Sequence, residues 1–209
     1  MIRNRLAELM FERDIKTVRM AKEIGVSRNT ITNTAQNDSE MLRMETINKI
    51  CQYLNIDPSE FFEFYPFDID FTIDSENIYI NNNDSKIISD YHLNLDLLID
   101  IKHNGITNSI DSELKVVNLT KISAILLESS TIYYEIIFEN TDDKKLIVET
   151  YNKLSKGMKK ILYSNLVEDI KIHLYESLED NSPNVFVEPI NDILNRTEIK
   201  ITNDFLNYY

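Results

Sequence analysis

The chain has 209 residues, 43% of them apolar, with 22 Lys/Arg against 35 Asp/Glu and a formal net charge of −13. That is length and apolar content for one or two folded domains, and it excludes a disordered chain. A single cysteine, Cys51, excludes an intrachain disulfide framework. No apolar run approaches the ~18 residues that a membrane helix needs; the longest is near Ala124, Ile125, Leu126 and Leu127. Glu8 and Glu12 interrupt the N-terminal stretch, so it does not read as a secretory signal, and the expected compartment is the cytoplasm.

In chain order, Ile2, Leu6, Leu9 and Met10 stand at helical spacing and predict a helix over residues 2–13. Met20, Ala21 and Ile24 share one face of a second helix over 17–24. Gly25 follows, where a helix end favours a left-handed residue. Val26 buries the turn. Ser27 is a good N-cap for a third helix over 28–36, because its oxygen can accept from an orphan amide of the first turn. Ile31 points back at the second helix, and the small Ala21 allows close approach. This is the spacing of a helix-turn-helix. Its second helix would present Arg28, Asn29, Thr30, Thr32 and Asn33 outward, side chains of a length suited to base edges and phosphates. A loop runs through residues 37–40. Ile47, Ile50, Cys51 and Leu54 then predict a helix over 44–54, with Cys51 as a buried structural thiol. Asp57, Pro58 and Glu60 are N-cap, N1 and N3 of a short helix ending near Phe64, and Pro66 closes the domain.

Residues 1–64 resemble the Cro/CI-type helix-turn-helix family, the lambda-repressor-like DNA-binding domain. The resemblance is carried by Arg5, Leu6, Ala7, Glu8 and Leu9 in the first helix and by Met20, Ala21, Gly25, Val26, Ser27, Arg28, Asn29, Thr30 and Ile31 in the motif. Glu45, Thr46, Ile47, Ile50, Cys51 and Leu54 match the fourth helix, and residues 57–62 the fifth. The resemblance implies an all-α five-helix domain over 1–65 whose helix 28–36 enters the major groove of double-stranded DNA. Arg28, Asn29, Thr30, Thr32 and Asn33 would be the reading face, with Ser27 also among the DNA-binding residues. Thr17 and the amides at the start of helix 17–24 would hold a phosphate, with Lys16, Arg19 and Arg43 as further phosphate contacts. Three positions depart from the family: Thr17 stands where Gln is frequent, Thr34 where a larger apolar residue is frequent, and Asp38 where Gly often follows Asn. Together these changes predict an altered sequence preference and a looser end to the recognition helix.

Charge divides with the chain. Residues 1–65 hold 9 Lys/Arg and 10 Asp/Glu, and residues 66–209 hold 13 and 25. Six of the seven arginines (Arg3, Arg5, Arg13, Arg19, Arg28 and Arg43) lie in the first 43 residues, and the arginine fork suits phosphate and guanine.

After Pro66 the period changes to two. Phe67, Ile69, Phe71 and Ile73 predict a strand, resumed at Ile78 and Ile80 after a turn at 75–77 and followed by a polar loop at 81–85. Residues 91–103 alternate again into Asn104 and Gly105, a type I′ hairpin signal, so Ile106 onward should pair back. Residues 116–117, 122–127, 132–138 and 145–150 are further strand candidates. From Tyr151, the positions Leu154, Met158, Ile161, Leu162 and Leu166, extended by Ile170, Leu174 and Leu178, predict one long helix or two, with a candidate break at Ser164 and Asn165. A short strand at 185–187, a short helix at 190–194 and an aromatic end (Phe205, Tyr208, Tyr209) complete the chain. The whole is read as α+β: an all-α N-terminal domain over 1–65, then an α+β domain over 66–209, of no recognised family, with about five or six strands.

Chemistry for catalysis is missing. Gly25, Gly105 and Gly157 are too far apart for a phosphate loop. His92, His103 and His173 show no ligand spacing with Cys51, and no cofactor or metal is expected. Some phage repressors cut themselves at an Ala-Gly or Cys-Gly bond with a Ser-Lys dyad. Here glycine follows Ile24, Asn104 and Lys156, and Ser112 and Lys115 form an isolated pair without accompanying motifs. The expectation is a non-enzymatic transcriptional regulator. It would be a repressor of a prophage or mobile element, dimeric on an inverted repeat, and relieved by an antirepressor protein or a ligand at residues 66–209. The alternative is an antitoxin-like protein that neutralises a partner and autoregulates by binding DNA.

Overall fold

The computed structural model describes residues 1–38, 41–74, 78–81, 90–117, 131–181, 189–203, 205 and 206. The chain divides into two compact units, Met1–Phe67 and Asp68–Tyr209.

The first unit holds five helices: α1 (Leu6–Glu12), α2 (Thr17–Ile24), α3 (Arg28–Gln36), α4 (Met44–Leu54) and α5 (Pro58–Phe61). Their apolar stripes meet in one core of Leu6, Leu9, Met10, Met20, Ala21, Ile31, Ile47, Ile50, Cys51, Leu54 and Phe61. Burying each of the larger side chains contributes about 1.5–3 kcal/mol. Cys51 is part of this core, and burial pushes its thiol pKa up. Left-handed residues end three helices: Gly25 (φ 68°), Asn37 (φ 57°) and Asn55 (φ 51°). At each, the next amide folds back to the carbonyl that opens the last turn, as Val26 N–H does to Ala21 O at 3.0 Å.

Two segments differ from the sequence reading. Residues 2–4 do not begin the first helix. They form strand β1 (Ile2–Asn4), paired antiparallel with β2 (Phe62–Phe64), with Ile2 opposite Phe64 and Asn4 opposite Phe62. The fifth helix therefore stops at Phe61 instead of running to Phe64. The physical reason is long-range pairing. Arg5 N–H donates to Phe61 O at 2.8 Å, Tyr65 N–H donates to Met1 O at 2.8 Å, and the Arg3 guanidinium, 7% exposed, is held by Glu63 and Glu8 at 2.5 and 2.6 Å. The ribbon adds a sheet element to an otherwise helical unit.

The second unit is sheet-rich. Strands β3 (Phe67–Asp74), β6 (Leu95–His103), β7 (Ile106–Val116), β8 (Thr131–Phe138) and β9 (Glu198–Thr202) form one five-stranded sheet in that order, and β4 (Tyr79–Asn81) pairs with β5 (Asp90–His92) in a separate ribbon. Asn104 (φ 51°) and Gly105 (φ 78°) make the left-handed turn expected of the hairpin, and β7 pairs back on β6 from His103 opposite Ile106 to Leu95 opposite Leu114. One face of the sheet is apolar: Ile69, Ile73, Leu95, Leu97, Ile99, Ile101, Ile110, Leu114, Ile132, Tyr134, Ile136, Ile199 and Ile201 are buried. The buried Tyr134 hydroxyl donates to Leu93 O at 2.9 Å, and burial pushes its pKa up.

Residues 145–150 are helical, not a strand: they lie in α6 (Thr141–Tyr151). Asn140 caps it by accepting from Asp142 N–H at 2.9 Å, and Asp142 and Asp143 stabilise its first turn. The apolar run there buries Ile147 and Tyr151, four residues apart, which is helical spacing. The next helix, α7 (Lys156–Asn181), is continuous through Ser164 and Asn165, which are exposed and polar on its solvent side. The break falls earlier, where Ser155 Oγ accepts from Met158 N–H at 3.2 Å. Met158, Leu162, Leu166, Ile170, Leu174 and Leu178 are buried at steps of four. Such a stripe turns by about 40° per step on a 3.6-residue helix, so α7 meets different neighbours along its length. Its Tyr163 hydroxyl accepts from Ile201 N–H in β9 at 3.1 Å, and Asn181 Nδ2 donates to Ile78 O beside β4 at 2.8 Å.

Helix α8 (Ile190–Arg196) lies where a short helix was expected. Strand β9 was not anticipated. It pairs parallel with β8, Ile132 opposite Ile199 and Tyr134 opposite Ile201, across the crossover through α6, α7 and α8. Residues 116–117 are not a separate strand, since Val116 ends β7. The turn at 75–77, most of the loop at 81–85, the strand candidates at 122–127 and 185–187, and Tyr208 and Tyr209 lie outside the described residues. No helix among the described residues is long and apolar enough to cross a membrane.

Candidate nucleic-acid interface

Helices α2 and α3 are packed on each other. Met20 and Ala21 from α2 and Ile31 and Thr34 from α3 are buried, which turns the opposite side of α3 outward. Ser27 starts α3 as expected. Its Oγ accepts from Thr30 N–H at 3.0 Å and lies 2.8 Å from the Thr30 hydroxyl. These two side chains are thus engaged in holding the helix start. Arg28, Asn29 and Asn33 are exposed, and Thr30 and Thr32 are half-buried. Asn29 and Asn33 stand one turn apart on the same face. Arg28 makes no ion pair among the described residues.

A groove of about 590 Å³ runs beside this face, lined by Ser27, Asn29, Thr30 and Asn33 from α3 and by Arg43, Glu45 and Lys49 at and after the start of α4. It brings Arg43 to the same place as the exposed asparagines. Arg28, Thr32, Lys16, Thr17 and Arg19 do not line it. Lys49 was missed from the sequence, although its spacing four residues after Glu45 was visible. The two form an ion pair at 2.8 Å, which holds the Glu45 carboxyl below its usual pKa.

At the start of α2, Lys16 is the extended N-cap and supplies no side-chain cap, and Thr17 is half-buried at the first helical position. The first-turn amides of such a helix suit a phosphate. Arg19 is exposed but paired with Glu23 at 3.0 Å. A hydrogen bond from Tyr53, then that of Arg19, holds the Glu23 carboxyl below its usual pKa, and the same Glu23 contact pushes the Tyr53 phenol up. Three other early arginines serve the fold. Arg3 pairs with Glu8 and Glu63, Arg5 with Glu8 at 3.1 Å, and the Arg13 guanidinium donates to Leu54 O. The arginine enrichment of the first 43 residues is thus structural as much as it is a basic surface.

Among the described residues no group of three or more His, Cys, Asp or Glu side chains could hold a metal ion.

Residues 5–66 match the family described as Cro/C1-type HTH DNA-binding domain. Among solved structures, a "putative DNA-binding protein" from Bacteroides fragilis is similar at 27% identity, over 30% of this chain and 100% of that one, with a TM-score of 0.28. No curated protein matches. The N-terminal third is a helix-turn-helix region of Cro/C1 type, followed by a sheet-rich domain.

Proposed function

We propose that this chain is a sequence-specific DNA-binding transcriptional regulator: a non-self-cleaving repressor, of the kind carried by prophages and mobile elements. It would act as a homodimer on an inverted repeat, and an antirepressor protein or ligand acting on residues 68–209 would relieve it. The observation that carries the reading is the outward row of Arg28, Asn29 and Asn33 on a helix whose inner side is packed on α2, within a region matching a DNA-binding family. Asn29 and Asn33 have the amide geometry that reads adenine, and Arg28 the fork that reads guanine or grips phosphate. Thr17 and the amides of α2 take a backbone phosphate, Lys16, Arg19 and Arg43 are further phosphate contacts, and Arg19 must leave Glu23 to act as one. Two half-sites then stand about 34 Å apart or at a multiple of that distance.

The test is binding of the intact protein to DNA upstream of its own gene across a salt series, with sedimentation to read the oligomer. The expected result is one preferred inverted repeat, bound by a dimer with affinity that falls steeply with salt. Absence of any preferred duplex overturns the reading.

One observation favours a second reading, in which the C-terminal unit neutralises a basic protein and DNA binding serves autoregulation. The sheet face opposite the apolar one carries Asp70, Asp96, Asp100, Asp111 and Glu113, and Asp96 stands directly across from Glu113. Asp70 is paired with Lys102 at 2.8 Å, Asp100 accepts from Ser109 and Glu113 from Asn94, but like charges directly across a sheet destabilise it, so a role outside folding would explain Asp96. Recovery of the chain with a stoichiometric basic protein from its native host favours this reading, and recovery as a bare dimer removes it.

A further inference from the structure

Helix α3 has few apolar anchors. Of its nine residues only Ile31 and Thr34 are buried, and the Thr34 hydroxyl has no hydrogen-bond partner among the described residues. Apolar packing therefore constrains the rotation and tilt of α3 weakly. What holds its last turn is polar. Asn37 Oδ1 accepts from both the backbone N–H and the Nδ2 of Asn4, at 2.7 and 2.8 Å, and Asn37 Nδ2 donates to Asn4 O at 3.1 Å. Asn4 Nδ2 also donates to Thr34 O at 2.7 Å. Asn4 is itself fixed, because it is 4% exposed, its Oδ1 accepts from Leu6 N–H at 3.0 Å, and its backbone lies in the β1–β2 ribbon. The left-handed position after a helix ordinarily favours glycine. Here asparagine tolerates φ 57° and supplies the lock as well. The missing glycine after Asn37 does not loosen the helix end, since Asp38 N–H still closes on Asn33 O at 3.0 Å.

We propose that Asn4 and Asn37 are positioning residues for base reading. Neither belongs to the outward row of α3. They set the angle at which Asn33, one turn before Asn37, and Asn29, two turns before it, meet base edges. The proposal rests on the DNA reading above. It makes a distinct demand: loosening the last turn of α3 should spoil discrimination between sequences. Affinity for arbitrary DNA should survive, because the phosphate contacts at the start of α2 are untouched.

The experiment uses the full chain and two duplexes, one selected by the wild-type protein from a random pool and one random duplex of equal length. Asn37→Gly keeps the left-handed backbone and removes three bonds. Asn4→Ala weakens the lock from its other side: it removes the two bonds donated by Asn4 Nδ2, to Asn37 Oδ1 and Thr34 O, and leaves the two made by the Asn4 backbone. Circular dichroism melts confirm that each variant is folded at the assay temperature. The expected result is a five- to hundredfold loss of affinity for the selected duplex, the range of one mismatched base pair, with random-duplex affinity within about twofold of wild type. The double variant should lose less than the sum of the two single losses, because the bond from Asn4 Nδ2 to Asn37 Oδ1 is common to both changes. Equal losses on both duplexes, or no loss on either with Asn37→Gly, overturn the positioning role while leaving the DNA reading intact. A wild-type chain that selects no duplex overturns the reading itself and this inference with it. Should Asn4→Ala fail to fold, Asn37→Gly alone decides.

Discussion

The two units solve the same problem with different ranges of interaction. The first is built from short helices whose apolar residues recur within a turn or two, so each element carries its own pattern. The second is built from strands that mean little until paired, and its last strand joins the sheet only across three intervening helices. Charge follows the same division. The first unit is near neutral, yet it leaves Arg28 exposed and sets Arg43 beside the exposed asparagines of α3, while Arg3, Arg5 and Arg13 are tied into the fold. The second concentrates acid on the sheet face opposite its apolar one. Net charge of the whole chain is thus a poor guide to what the first unit binds, and location of charge a better one.

The largest effect should come from the core of the first unit. Phe61→Ala removes a fully buried ring and should cost about 3–5 kcal/mol. Hydrogen exchange should speed up in residues 1–67 and stay unchanged in most amides of 68–209; a uniform loss of protection would break the comparison between units. Next, Asn29→Ala should cost about 1–3 kcal/mol of base discrimination. Arg28→Ala should cost as much if it reads a base, and should reduce the salt slope by about one if it holds a phosphate. If both variants bind the preferred duplex like wild type, the outward row of α3 is not the reading face.

Smaller effects sharpen the picture. Thr34→Val deletes a buried hydroxyl without a partner at nearly constant volume, and should stabilise the first unit by about 1 kcal/mol in a denaturant melt. In the second unit, Asp96→Lys turns a like-charge cross-strand pair into an attractive one and should stabilise by about 0.5 kcal/mol. Under the second reading it should also weaken capture of a basic partner. The smallest is electrostatic. Glu23 is held below its usual pKa by Tyr53 and then Arg19, so this contact favours folding above the unfolded carboxylate pKa. Its contribution fades as pH falls through the lowered folded value. Tyr53→Phe should move the Glu23 titration, followed by NMR, back up toward the ordinary range; an unmoved titration would assign the shift to Arg19 alone.

Legibility tracked the range of the interactions. Helices α2, α3 and α4 and the cap at Ser27 were readable because periodicity, a left-handed glycine and an N-cap are local signals. The hairpin at Asn104 and Gly105 was readable for the same reason. Three-residue strands carry no periodicity, so by sequence residues 2–4 read as part of the first helix and residues 62–64 as part of the fifth. The run at 145–150 has strand-like composition, and only the cap at Asn140 and the burial of Ile147 and Tyr151 resolve it as helix. At the candidate interface the exposure of Arg28, Asn29 and Asn33 was legible from spacing, whereas the partial burial of Thr30 and Thr32 was not. The pairing of Lys49 with Glu45 and the engagement of Arg19 by Glu23 required coordinates.

Residue order alone determined the helix-turn-helix, its outward polar row, the strand-rich second half and the uneven charge, because each depends on neighbours within a few positions. Tertiary structure decided which arginines remain for a ligand, that the last strand joins the sheet in parallel, and that Asn4 locks the end of α3 from 33 residues away. Those outcomes turn on hydrogen bonds and ion pairs between segments distant in the chain. The free energy of such contacts depends on geometry that no local pattern encodes.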